Sequence, residues 1–178
     1  MADLGKSKQE VPMDPKPHFE ALALYNRWSN RRLYEVAAQL ADAQFREDRG
    51  AFFGSLRGTL NHILVADRLW LERIEGAGPR PSALDEILYD DFAGLHAARE
   101  AEDERILRIL ATTPVERFES VLSYRSMAGT PHELPFTQVV THIFNHQTHH
   151  RGQAHALLSQ FGLDAPSIDF VYFLLETK

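Results

Sequence analysis

Near its C-terminal end the chain reads T-H-I-F-N-H-Q-T-H-H-R-G-Q-A-H, from Thr141 to His155, with His142, His146 and His150 at strict four-residue intervals. On an α-helix a four-residue step turns about 40° and climbs roughly 6 Å, so neighbouring members of that series share a face. This is metal-ligand spacing. The periodicity around it predicts a helix from Phe136 to Phe161, closed by Gly162. At about 100° per residue, Phe136, Val139, Val140, Ile143, Ala154, Leu157, Leu158 and Phe161 fall on one side. His150 lies within that apolar cluster and His146 at its edge. His142 lies about 40° further out, and His149 further still. The core-facing pair is therefore His146 and His150.

Composition limits what can complete such a site. The 178 residues contain no cysteine, so any metal must be held by imidazole, carboxylate or backbone. With 44% apolar residues the chain suits one globular domain, and no repeat of fixed period interrupts it. A net charge of -6 argues against a nucleic-acid partner, which would call for a basic face. No membrane association is expected either, because no run is apolar enough to span a bilayer. The first residues lack the apolar segment of a secretory signal, so a cytoplasmic location is expected. Residues 1–15 read as a polar tail containing Pro12 and Pro15, with Met13 as an alternative start; residues 16–178 form the domain.

Three further helices are predicted. The first runs from near Pro17 to about Ala41, with Asn26 falling in its buried stripe of Phe19, Leu22, Leu33, Val36, Ala37 and Leu40. Asn26 is then either a buried amide bonded to a neighbouring helix or a residue facing a pocket. Tyr25, Trp28 and Tyr34 read as core and rim packing. After a charged turn from Phe45 to Gly50, the second helix spans about Ala51 to Ile74 and contains one histidine, His62, beside the small residues Gly58, Thr59, Val65 and Ala66. A crossover from Pro79 to Tyr89 leads to a third helix starting near Asp90 or Asp91, whose carboxylates suit a helix N-terminus. Arg99 and Glu102 fall in its buried stripe and read as an ion pair at the core margin. Glu100, Asp103, Glu104 and Arg105 read as a solvated face. From Pro114 to Pro135 the helical period is lost, and a short hairpin or extended loop is expected there. The apolar tail from Ile168 to Leu175 should pack back on the helices.

His146 and His150 supply only two ligands. His62 is the best third, because His18, His96 and His132 are poorly placed. Three histidines without a fourth protein ligand leave a position open, the arrangement of a catalytic rather than a structural site. The competing reading has the same histidines bonded to backbone or carboxylates with no metal. A di-iron site is disfavoured, since the second and fourth helices lack its Glu-x-x-His pairs.

The segments Y-N-R-W-S-N, L-N-H-I-L-V-A-D-R-L-W and H-I-F-N-H-Q-T-H-H-R-G-Q together resemble the DinB-like family, also described as DinB/YfiT-like metalloenzymes. The resemblance implies an all-α four-helix bundle, up-down-down-up, with a long crossover between its second and third helices. It also implies a divalent metal, zinc or nickel, held by His62, His146 and His150, and a homodimer. The better understood relatives are thiol S-transferases and a thiol-dependent isomerase. On that footing the chain is expected to activate a low-molecular-weight thiol for attack on a small electrophile. Asn26, Arg99 and Arg151 are candidates for holding the thiol's polar groups, and His142 for lining the mouth. Arg151, about 100° round from His150, is expected to bond an acidic residue on a neighbouring helix or subunit. The alternatives are a metal-dependent hydrolase and a non-catalytic binding module.

Overall fold

The computed structural model describes residues 14–177, so the predicted tail lies almost wholly outside the described residues. The order of elements is α1 (Lys16–Ala37), α2 (Asp42–Arg46), α3 (Leu56–Glu75), α4 (Phe92–Thr112), β1 (Val121–Arg125), β2 (Pro131–Pro135), α5 (Phe136–Gln160) and α6 (Phe170–Glu176), with a 3-10 turn at Val115–Glu119. Each of α1 and α3 packs against both α4 and α5. Two apolar clusters fill the space between these four long helices. One joins Phe19 and Ala23 of α1, Leu71 of α3, Ile106 and Ile109 of α4 and Val140 of α5; the other joins Leu33, Leu60, Leu95 and Leu157 of the same helices.

Local chemistry sets the boundaries, and two predicted ones move. α1 ends at Ala37 rather than Ala41, and α2 overlaps the first two residues of the expected charged turn, Phe45 and Arg46, with Phe45 a buried plug. α3 begins at Leu56, not Ala51, because Gly54 takes a left-handed φ of 72° and Ser55 then caps the helix, accepting from Gly58 N at 3.1 Å. Asp91 caps α4 in the same way, accepting from Gly94 N at 2.7 Å. The segment before α5 is a hairpin, with β1 antiparallel to β2 and Tyr124 opposite His132. α6 returns onto α1, burying Phe173 against Tyr25 and Trp28. No helix among the described residues is long and apolar enough to cross a membrane.

Candidate metal centre

The N-terminal half of α3 lies against the C-terminal half of α5, where Leu60 and Leu64 share a cluster with Ala154 and Leu157. That packing brings His62 to His146 and His150, and one ring nitrogen from each lies within 4.8 Å of the others. Among the described residues no carboxylate joins the group. His150 is buried, His146 half-buried, and His142 and His149 exposed, following the order of their angles on the helix.

Hydrogen bonds assign the ring protons. His62 Nδ1 lies 2.8 Å from the Leu84 carbonyl and His150 Nδ1 lies 2.8 Å from Gln153 Oε1, so each donates there and leaves Nε2 as a lone pair. His62 Nε2 faces His146 Nε2 at 3.1 Å. His146 Nδ1 is buried with no partner among the described residues. Without a cation, either His146 keeps its proton on Nε2 and leaves a bare nitrogen buried, or two lone pairs face each other. Two imidazole nitrogens on one tetrahedral zinc stand roughly 3.3 Å apart, so the observed spacing and the all-imidazole donor set fit such an ion.

Desolvation keeps the group neutral and ligand-competent. Burial, then the neighbouring imidazoles, push His146 down to about 3. Burial also lowers His62 and His150, opposed in part by the Leu84 and Gln153 contacts. Phe53 supplies much of that burial. Its ring stacks on His62 at 3.8 Å and meets His150 edge-on at 5.7 Å. Gly58 permits the approach, since a Cβ there would stand 2.1 Å from the Phe53 carbonyl oxygen. Phe52, exposed, packs edge-on against Phe53 at 4.9 Å and extends this apolar cover.

The model for the DinB family matches residues 13–177. The chain belongs to the DinB family. Protein DinB of Bacillus subtilis (strain 168) is 25% identical over 162 residues, covering 86% of this chain and 92% of that protein. A solved DinB-like protein from Bacillus cereus ATCC 10987 superposes with a TM-score of 0.64 over 81% of this chain and 91% of its own, at 18% identity, a likeness of fold alone.

In this DinB-family chain the other predicted site residues lie elsewhere. Asn26, Arg99 and Arg151 are each about 1% exposed and belong to a buried polar layer crossing the helices. Asp103 accepts from Asn26 Nδ2 at 3.1 Å and Asn30 Nδ2 at 2.9 Å, and pairs with Arg99 at 2.9 Å. Arg99 and Gln147 both donate to Asp67. Arg151 donates to Asn26 Oδ1, to Gln147 Oε1 at 3.2 Å and to the Thr148 hydroxyl at 3.3 Å, so its hydrogen-bond partners are amides and a hydroxyl rather than the expected acid. Arg99 and Glu102 are both paired, though not to each other: Glu102 takes Arg68 at 3.3 Å and Arg105 at 2.6 Å. Asp103 and Arg105 are buried, not part of a solvated face. Asparagine, glutamine and arginine at helical spacing carry no signal for a layer until the helix pairing is known. A cleft of about 790 Å³ between α1 and α4, lined by Trp28, Asn30, Tyr34, Arg99 and Asp103, touches this layer and none of the three histidines.

Proposed function

We propose that this DinB-family protein holds a divalent metal, zinc or nickel, on His62, His146 and His150, and acts as a thiol S-transferase on a small electrophile. The observation that carries the reading is that His62, His146 and His150 each bring one ring nitrogen within 4.8 Å of the others and that, among the described residues, no carboxylate or further histidine joins them. A divalent cation there would favour the thiolate form of a bound low-molecular-weight thiol. The chain's own residues hold the ligand rings, through Leu84, Gln153 and Phe53, and keep the surroundings apolar. As the sulfur bonds the electrophilic carbon, the thiol proton leaves for solvent and the electrophile takes up the displaced electron pair. A substrate-binding role for Asn26, Arg99 or Arg151 would require the buried layer to open, whereas His142 already stands exposed 5.7 Å from the His146 ring.

The same proposal includes the up-down-down-up four-helix bundle, a homodimer and a cytoplasmic location. The bundle is supported by the apolar clusters, which join the N-terminal halves of α1 and α5 to the C-terminal halves of α3 and α4. Elemental analysis of protein purified without a metal-affinity tag tests the site: His62→Ala, His146→Ala and His150→Ala should each lose the metal and His142→Ala should keep it. For the reaction, thiols presented with a reactive electrophile should give metal-dependent conjugation. Turnover of an ester without thiol would instead mark a hydrolase, and a metal closed off by protein ligands would mark a binding module.

A further inference from the structure

On the far flank of the triad, α3, α5 and the hairpin converge on one guanidinium. From His146 the rings lead to His142 at 5.7 Å and on to Trp70 at 5.1 Å, and Tyr124 of β1 meets Trp70 edge-on at 5.1 Å. Arg73 lies between these last two, its Cζ 4.5 Å from the Trp70 ring and 4.7 Å from the Tyr124 ring. Two aromatic faces orient a guanidinium without neutralising it. Among the described residues no carboxylate approaches it within 4.0 Å. Glu72, the adjacent acid, is turned to Arg80 at 3.8 Å. The other α3 arginines are paired, Arg57 with Asp90 and Arg68 with Glu102. Arg73 is only half-buried, so it stays open to a ligand where Arg99 and Arg151 do not.

We propose that Arg73, held by Trp70 and Tyr124 and flanked by His142, is the anion-binding end of the ligand site and takes a carboxylate of the thiol whose sulfur sits at the triad. The thiol half of that statement rests on the function proposed above; the anion site does not. Burial is the main cause lowering the Arg73 pKa, so its charge has lost solvation that an incoming carboxylate would restore. Helical side chains lean toward the N-terminus, which points Arg73 back along α3 toward His62, about 16 Å of helix rise away. The ligand implied is an extended small molecule with its thiol and an acidic group at opposite ends. The hairpin gains a role as the element that delivers Tyr124.

Mercaptoalkanoic acids of increasing chain length, each beside its methyl ester, give a ruler. Calorimetric titration of the zinc-loaded full chain should find one length at which the acid binds about tenfold tighter than its ester. Arg73→Gln should erase that preference with ester binding unchanged, and Arg73→Lys should keep part of it, with the melting curve of each variant checking the fold. Equal binding of acid and ester at every length, or a preference that survives Arg73→Gln, overturns the proposal. If no mercaptan of either kind binds, the thiol reading fails. The anion site is then decided by octanoate against methyl octanoate: an acid preference lost in Arg73→Gln upholds it, and none refutes it.

Discussion

Two polar clusters lie inside the same helices, and they are finished differently. In the layer of Asn26, Asn30, Asp67, Arg99, Asp103, Gln147 and Arg151, two carboxylates face two guanidiniums and three amides fill the gaps. In the triad, three imidazoles turn nitrogens toward one point, and among the described residues no carboxylate joins them. Both sets keep orphan atoms, Arg99 Nε and Arg151 Nε in the layer and His146 Nδ1 in the triad, so the difference lies in charge. The layer answers its guanidiniums with its own carboxylates and is architecture, whereas a set of neutral donors aimed at one point invites a cation. The clusters are neighbours on α5, with Gln147 following His146 and Arg151 following His150. One turn of helix thus serves the layer on one side and the site on the other.

The largest effect should come from breaking the layer. Arg99→Met leaves Asp67 and Asp103 buried without their common cation and should cost about 3–5 kcal/mol of unfolding free energy in chemical denaturation. Removing a triad imidazole from metal-free protein should cost far less, since it deletes a group whose bonds are incomplete. A loss for His146→Ala as large as that for Arg99→Met would erase the distinction. Metal should narrow the gap: at a hundredfold excess over Kd it adds about 2.7 kcal/mol to any protein that binds it only when folded. Zinc titrations followed by thermal unfolding should show that increment in the wild type and in His142→Ala, and none in His62→Ala, His146→Ala or His150→Ala.

A smaller effect tests how the site is held. Among the described residues Gln153 is the side chain that fixes the His150 tautomer, and partners of this kind are worth about 10- to 100-fold in metal affinity. Gln153→Ala should weaken zinc about tenfold with little change in metal-free stability. His62 is oriented by the Leu84 carbonyl, which substitution does not remove, so Gln153 is where the supporting contact can be cut.

How much of this the sequence shows divides along the same line. The triad was legible because four-residue spacing on a strongly periodic helix converts directly into angle, and absence of cysteine restricted the donors. The helices were legible for the same reason, except where short-range turn chemistry intervened, as in the Gly50 to Ser55 segment that moves the start of α3. The layer was legible only in part: Asn26 is the buried amide bonded to a neighbouring helix, one of its two readings, and Arg99 lies in the buried stripe. Asp103 stands among Glu100, Glu104 and Arg105 in a run that reads as solvent-facing, and only the packing of α1 on α4 brings Asn26 and Asn30 to it. Phe53 escaped notice because a loop phenylalanine has no period to place it over His62. Arg73 escaped because its aromatic partner Tyr124 comes from a hairpin far along the chain.

Acid should set the two clusters against each other, with the smallest net effect. His146 falls from 6.5 to about 3 on folding, so in metal-free protein the unfolded chain binds the extra proton between those values. Its contribution to stability is complete above about pH 6.5 and is lost as pH falls toward 3. His62 and His150 shift the same way. Asp67 shifts oppositely, raised from 3.8 to about 6 mainly by burial, so the folded chain takes up its proton first and gains stability as pH falls from about 6 to 3.8. The slopes partly cancel in the wild type. His146→Ala should therefore flatten the acid-side decline of metal-free protein, and Asp67→Asn should steepen it, both measured as unfolding free energy from pH 7 to 4. The same direction of change in both variants would mean that triad and layer titrate as one network, and the division between a finished cluster and an open one would not stand.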